Sequence, residues 1–199
     1  MSGFCRLICY IYRCASKAGE WMWNEKAKEI KMDYYDRLVI NIAEGNLSYL
    51  SELYQKLRRP IFALAMSIIG EYYAAEDIMQ ETFLKVTANA SMYHKGTNAR
   101  AWIFTIARNL CLNNLQMKKG EELNENMVEQ RGGDFEERVA SVINFNRMIE
   151  PLDDVERQIF VLHFYGGLKK TQIAQMMKMS PANVWAKYSR ALKKLRANS

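Results

Sequence analysis

Residues 171–192 read TQIAQMMKMSPANVWAKYSRAL, and this stretch decides how the C-terminal part of the chain folds. Apolar residues recur at helical spacing on both sides of a short break. Within the break, Ser180-Pro181 is a typical N-cap followed by proline at the first helical position. Two short helices joined by a tight turn form a helix-turn-helix. Lys178 stands in the turn, where a positive φ costs a non-glycine residue about 1 kcal/mol, so we expect a slightly strained or altered turn.

The second helix of this motif turns polar and basic side chains outward, among them Asn183, Trp185, Lys187 and Arg190. An α-helix fits the DNA major groove, where asparagine pairs with adenine and arginine or lysine pairs with guanine or phosphate. Trp185 is either a further DNA contact or a partly buried ring, and the whole face is alternatively a solvated surface. From Arg157 to the C-terminus the sequence has no acidic residue, which favours a polyanionic partner over the solvated surface.

Upstream of this motif, apolar periodicity predicts helices over 47–69, 75–86 and 99–115. Gly70 is a natural end for the first of them, and Pro60 predicts a kink or a split within it. The fold class is therefore all-α, with one small helical domain on each side of a polar, acidic stretch. That stretch, residues 119–143, contains two adjacent glycines and is predicted to be a flexible linker.

Composition supports a folded, helix-rich protein, with 49% hydrophobic residues, 3 Pro, 10 Gly and a net charge of +6 in 199 residues. No segment approaches the roughly 18 consecutive apolar residues of a membrane span, so membrane insertion is not expected. Residues 1–31 contain Arg6 and Arg13 and make a poor signal peptide. Three of the four cysteines lie in this leader, and the spacing predicts no metal site and a reduced, cytoplasmic protein. The leader matches no pattern, and translation is expected to start at Met32 rather than Met1.

Residues 75–86, AEDIMQETFLKV, followed by residues 99–110, ARAWIFTIARNL, closely resemble region 2 of the sigma-70 family. Residues 152–162, LDDVERQIFVL, together with the helix-turn-helix resemble region 4. The order of the two regions, without a region 3 domain between them, is similar to the extracytoplasmic-function (ECF) group. The resemblance implies these domains: 1–31 an unassigned leader, 32–118 region 2, 119–143 the acidic linker, 144–199 region 4.

The resemblance implies a sigma factor, which binds core RNA polymerase and directs promoter-specific initiation without a catalytic site or a cofactor. Asp77, Gln80, Glu81 and Leu84 fall at i, i+3, i+4 and i+7 and therefore share a helix face. The resemblance implies that this face docks on the coiled coil of the polymerase β′ subunit, and that region 4 meets the β flap. An anti-sigma factor that clamps the two domains is a further candidate partner.

For promoter DNA, the resemblance implies that region 2 opens the minus-ten element and that region 4 reads the minus-thirty-five element. A base released from the duplex needs a pocket with a basic or aromatic rim, and the polar loop 93–98 is the expected place. Few basic residues follow this loop and the start of the next helix, which weakens the expected phosphate contacts. The expected minus-ten contacts are Lys95, Asn98, Arg100 and Arg108, and the expected minus-thirty-five contacts are Thr171, Ser180, Asn183, Trp185, Lys187 and Arg190.

Two other kinds of protein share some of these sequence features with a sigma factor. A helix-turn-helix regulator that never joins polymerase would need only the C-terminal motif, and the acidic face of residues 77–84 distinguishes the two. An enzyme is not expected, because His94 and His163 have no catalytic partner in the sequence and the two carboxylates of that face have neither nucleophile nor metal set beside them.

Overall fold

The computed structural model describes residues 33–118 and 144–197, and within these ranges every regular element is helical. The all-α prediction is confirmed. The predicted leader, Met32 and the acidic linker 119–143 lie outside the described residues. The helices are α1 Tyr34–Ala43, α2 Ser48–Ile69, α3 Tyr72–Asn89, α4 Ala99–Lys118, α5 Asp154–Phe164, α6 Lys170–Met177 and α7 Pro181–Ala197, with a 3₁₀ turn at Ala90–Met92 and a helical segment at 144–149.

Helix α2 ends where the sequence predicts but is not split at its proline. Pro60 lies inside the continuous helix, and the backbone N–H of Gly70, with φ 77°, donates to Met66 O at 3.0 Å to close it. An interior proline costs a helix about 3 kcal/mol. The buried face of α2 on both sides of the proline, including the fully enclosed Leu57 and Ile61, outweighs this cost, since each such side chain contributes about 1.5–3 kcal/mol.

Helices α2, α3 and α4 pack together and bury the N-terminal core. The apolar stripe predicted for α3, from Ile78 to Val86, is buried and faces this core. Phe104 of α4 is completely enclosed. Helices α5, α6 and α7 form a second core around Ile159 and Val184, as the helix-turn-helix pattern predicts.

The two helical groups also contact one another, which the sequence did not predict. From Tyr35 onward the chain forms one compact unit, in which α5 packs along α2 and α6 contacts α4. Phe145, in the helical segment before α5, packs against a buried cluster that includes Met66 and Cys111. This contact places two predicted DNA-binding residues, Arg100 and Arg108, between the two groups, as described next.

Candidate functional site

The predicted docking face of α3 is exposed along its whole length. Asp77, Gln80, Glu81 and Leu84 are all exposed, and Leu84 presents 71% of its surface to solvent. Glu81 forms an ion pair with Lys85 one turn later at 3.5 Å, and this exposed pair adds little stability. An apolar side chain standing among acids and an amide makes a surface suited to a mixed, hydrogen-bonded protein interface.

The predicted base-capturing loop 93–98 is held by its own hydrogen bonds. The Thr97 hydroxyl donates to the His94 carbonyl at 2.7 Å, and Asn98, with φ 74°, accepts the Ala101 N–H at 2.8 Å through its side chain. Asn98 therefore caps the start of α4, so its side-chain oxygen is already engaged. Lys95 lies exposed in the loop.

A buried acid that sequence reasoning missed lies behind this loop. Asp36 of α1 is 3% exposed, and one of its carboxylate oxygens accepts from the Tyr93 hydroxyl and from the Ala99 N–H, each at 2.7 Å. Burial, and next the bond to Asp36, raise the pKa of Tyr93 well above its ordinary value, so the phenol keeps its proton to donate. In the sequence, Asp36 lies three residues before the apolar Val39, so helical spacing places it on the buried face of α1. This spacing is the signal that could have identified it.

The two arginines predicted to contact the minus-ten element face the C-terminal helices instead of an open surface. Arg100 donates through Nη1 to the carbonyls of Gly166 and Gly167 at 3.5 and 3.2 Å. Arg108 donates through Nε to the Gln158 side chain at 2.9 Å. Burial lowers the pKa of Arg108, yet a guanidinium remains protonated at neutral pH. Both groups are therefore engaged within the protein in this arrangement.

The loop between α5 and α6 favours glycine at two positions, by close approach at the first and by a left-handed backbone at the second. A Cβ on Gly166 would lie 2.6 Å from the Leu162 carbonyl oxygen and 3.1 Å from the Phe104 ring. Gly167 has φ 64°, and a Cβ there would lie 2.3 Å from Arg100 Nη1. We call Gly166 and Gly167 the glycine loop.

The helix-turn-helix has the predicted geometry. Lys178 adopts φ 54° and ψ 44°, which confirms the positive φ expected at this non-glycine position. The Ser180 hydroxyl oxygen accepts the Asn183 N–H at 3.3 Å, so the predicted N-cap of α7 is also confirmed. Thr171 is exposed in the first turn of α6. These contacts orient α7 with Asn183 on its exposed side.

Trp185 is 58% exposed, so its ring is accessible although part of it is covered. The ammonium of Lys170, from α6, lies 4.5 Å from the centre of the Trp185 ring and 4.4 Å from that of Tyr188. The same ammonium lies 3.2 Å from His163 Nε2, while His163 Nδ1 lies 2.7 Å from the Leu168 carbonyl and must donate to it. Lys170 thus joins α6 to two rings of α7, a role that the sequence alone did not indicate.

Two predicted DNA contacts on α7 are paired with acids at the start of α5. Lys187 lies 3.4 Å from Asp153, and Arg190 lies 3.7 Å from Glu156, which also accepts from Lys194 at 2.6 Å. Glu156 is 2% exposed and completes a capping box with Asp153 at the start of α5. Burial opposes ionisation of Asp153, but its bond to the Glu156 N–H and the charge of Lys187 prevail, so its pKa lies below the ordinary value.

The described residues contain no group of His, Cys, Asp or Glu that could hold a metal ion. Within the same ranges, no helix is both long and apolar enough to cross a membrane.

Comparison with known proteins agrees with this architecture. The model of Sigma-70 region 2 matches residues 53–120, and that of Sigma-70, region 4 matches residues 143–195. The ECF RNA polymerase sigma factor EcfG of Rhodopseudomonas palustris is 26% identical over 68% of this chain and 76% of its own length. The ECF RNA polymerase sigma factor SigM of Bacillus subtilis is 23% identical over 74% of this chain and 93% of its own length.

A solved structure shares the fold. It is the sigma factor RpoE from Bartonella quintana in complex with the anti-sigma factor NepR, with a TM-score of 0.58 at 20% identity, covering 74% of this chain and 94% of that one. The helical fold and its two matched regions, which together span more than half of the chain, define a transcription initiation factor. The chain belongs to the sigma-70 family, in its ECF group: it is a sigma factor that binds RNA polymerase and directs transcription initiation.

Proposed function

We propose that the exposed face of α3 is the polymerase-binding surface of this sigma factor. The observation that supports this most directly is Leu84, 71% exposed between acidic and amide side chains on the side of α3 opposite its buried stripe. A leucine this exposed, on the same face as acidic and amide side chains, fits the mixed apolar and hydrogen-bonding composition of protein interfaces.

A double variant tests this surface. Replacing Asp77 and Glu81 with alanine removes both carboxylates from an exposed face, so the fold is expected to survive while binding to core polymerase is lost. Glu44→Ala is the matched control, because Glu44 is an exposed acid in the turn after α1. The readouts are co-elution with purified core polymerase and transcription from genomic promoter fragments. Undiminished binding by the double variant, or equal loss by the control, would remove this proposal.

For promoter recognition, we propose that α7 reads the minus-thirty-five element in the major groove through its N-terminal half. Asn183 and Trp185 are exposed there and Ser180 caps the helix, whereas Lys187 and Arg190 lie further along and already pair with α5. Asn183 is therefore the residue best placed for a direct base contact, and adenine is the base whose edge matches its side chain.

The change Asn183→Ala tests this assignment. A bidentate base contact is worth about 1–3 kcal/mol of discrimination, so promoter use is expected to fall about five- to 150-fold and to become insensitive to the base that Asn183 reads. Gln175→Ala is the control, since Gln175 is exposed on α6 outside the recognition helix. A uniform loss on all promoter variants would assign Asn183 to positioning rather than to readout.

For promoter opening, we propose that loop 93–98 receives bases of the minus-ten element, with Lys95 supplying positive charge at its exposed side. Arg100 and Arg108 act on DNA only after they release the carbonyls and the amide that they now bind. The region-specific roles, an anti-sigma factor as a further partner, and a cytoplasmic location beside polymerase are inferred from family membership. The Bartonella relative solved with NepR supports the second of these.

A further inference from the structure

Helix α1 precedes the segment matched by the region 2 model, yet it contacts the part of the chain for which promoter opening is proposed. The match begins at residue 53, whereas α1 ends at Ala43. Tyr35 of α1 lies with its ring centre 4.2 Å from the guanidinium carbon of Arg100, in the first turn of α4. Asp36, the next residue, reaches the loop itself.

The two hydrogen bonds of Asp36 hold both ends of the loop. Tyr93 opens the loop and Ala99 follows its last residue, and both donate to the same carboxylate oxygen at 2.7 Å. The distance between the two ends of the loop is thus set by one oxygen atom in a site that is 3% exposed. The Ala99 N–H also belongs to the N-terminus of α4, where an anionic acceptor is favoured by the helix dipole.

The rest of the loop depends on these fixed ends. Asn98 is held in a left-handed conformation, φ 74°, directly before Ala99, and its side chain caps α4. Gly96, with φ 84°, has open space among the described residues where a Cβ would lie. The exposed Lys95 side chain therefore extends from a loop whose shape is fixed from beneath.

We propose that Asp36 is a positioning residue for promoter opening, which holds loop 93–98 in the shape that receives an unstacked base. This inference rests on the proposed function of the loop. A loop ordered in advance loses less conformational entropy when the base enters, so the binding of that base is strengthened. Asp36 is buried and acts through the loop.

Three variants test the proposal with polymerase holoenzyme on two templates. Asp36→Ala removes the acceptor, Asp36→Asn retains an oxygen but not its charge, and Tyr93→Phe removes one donor while keeping the ring. The templates are a duplex promoter and the same promoter with a mismatched, already open minus-ten segment. Losing hydrogen bonds to a charged acceptor lowers transcription from the duplex by roughly tenfold or more, and much less from the open template, because the duplex alone needs base capture to stay open.

Glu44→Ala, a surface acid just after α1, is the control, and Lys95→Ala reports on the loop separately. A purely structural role of Asp36 lowers transcription equally on both templates, or weakens polymerase binding, and either result overturns the proposal. A selective defect in Lys95→Ala without one in the Asp36 and Tyr93 variants also overturns it, while the proposed function of the loop stands. If Lys95→Ala changes transcription from the two templates by the same factor, the proposed function of the loop itself is wrong. If Asp36→Ala does not fold, Asp36→Asn and Tyr93→Phe decide the matter.

Discussion

The contact between Arg100 and the glycine loop predicts that one added methyl group weakens the contact between the two helical groups. In Gly167→Ala the new Cβ would lie 2.3 Å from Arg100 Nη1, so the guanidinium has to shift and its bonds to the two carbonyls are weakened or lost. Each of these hydrogen bonds is long, 3.5 and 3.2 Å, and contributes about 1 kcal/mol at most. A left-handed backbone at a non-glycine residue adds about 1 kcal/mol of strain. Local hydrogen bonds to α5 hold this turn, so the strain lowers stability without acting on the contact itself.

The two hydrogen bonds together contribute at most about 2 kcal/mol to the contact, so their loss shifts the ratio of closed to open molecules by up to roughly 30-fold. Single-molecule energy transfer between dyes at Met92 and Ser189, both exposed, measures this ratio directly. Gly45→Ala is the matched control, because Gly45 also has a positive φ, 89°, but no atom within 4 Å of the added methyl group. Arg100→Ala is expected to shift the distribution in the same direction as Gly167→Ala.

The result that refutes this reasoning is a distribution in Gly167→Ala that matches wild type, or one that changes equally in Gly45→Ala. The first outcome would mean that the packing of α5 on α2 holds the groups together without the arginine. The second would mean that backbone strain, and not the clash with Arg100, moves the equilibrium.

Three further predictions concern stability and reactivity. Burial raises the pKa of Cys111 to about 12, so iodoacetamide at pH 8 is expected to spare this thiol in the native protein and modify it in urea, as peptide mass spectrometry will show. Lys178→Gly is expected to raise the free energy of unfolding, measured by urea titration, by roughly 0.5 kcal/mol. The reason is that the relief of left-handed strain exceeds the extra freedom of glycine in the unfolded chain. Lys169→Gly is the control and is expected to lower the free energy of unfolding, because Lys169 has φ −69° and no such strain. The depressed pKa of Asp153 contributes stability that is complete above its unfolded pKa, about 3.9, and is lost as pH falls through the lower folded pKa. The urea midpoints of wild type and Asp153→Asn are therefore expected to converge as pH falls through this range. Midpoints that keep the same difference at every pH would contradict this.

Local signals in the sequence predicted local structure well. Ser180 caps α7 and Lys178 takes a left-handed conformation because both features depend on a few neighbouring residues. The exposed face around Asp77 and Leu84 followed from helical spacing alone. The split predicted at Pro60 does not occur, since the continuity of α2 is decided by packing on both sides, which spacing does not reveal.

Contacts between distant segments were beyond the reach of the sequence. The stretch without acidic residues begins at Arg157, directly after Glu156. Glu156 therefore lies just outside it, and the sequence does not show that this acid pairs with Arg190. The bonds of Arg100 to the carbonyls of Gly166 and Gly167 could not be foreseen, because these partners lie 66 and 67 residues away in the sequence. Asp36 carries no motif, and only the folded loop shows that it accepts two hydrogen bonds.

The cation of Lys170 beside Trp185 has a consequence for the timing of DNA recognition. A large ring exposed on a helix ordinarily exchanges among rotamers, and a bound base must then select one of them. Here an ammonium already lies 4.5 Å from the ring centre and is held in turn by Tyr188 and His163. An exposed cation–π contact is worth about 0.5–1 kcal/mol, so part of the entropy of ordering the indole is already lost during folding of the helix-turn-helix, and Trp185 favours one orientation before it meets a partner.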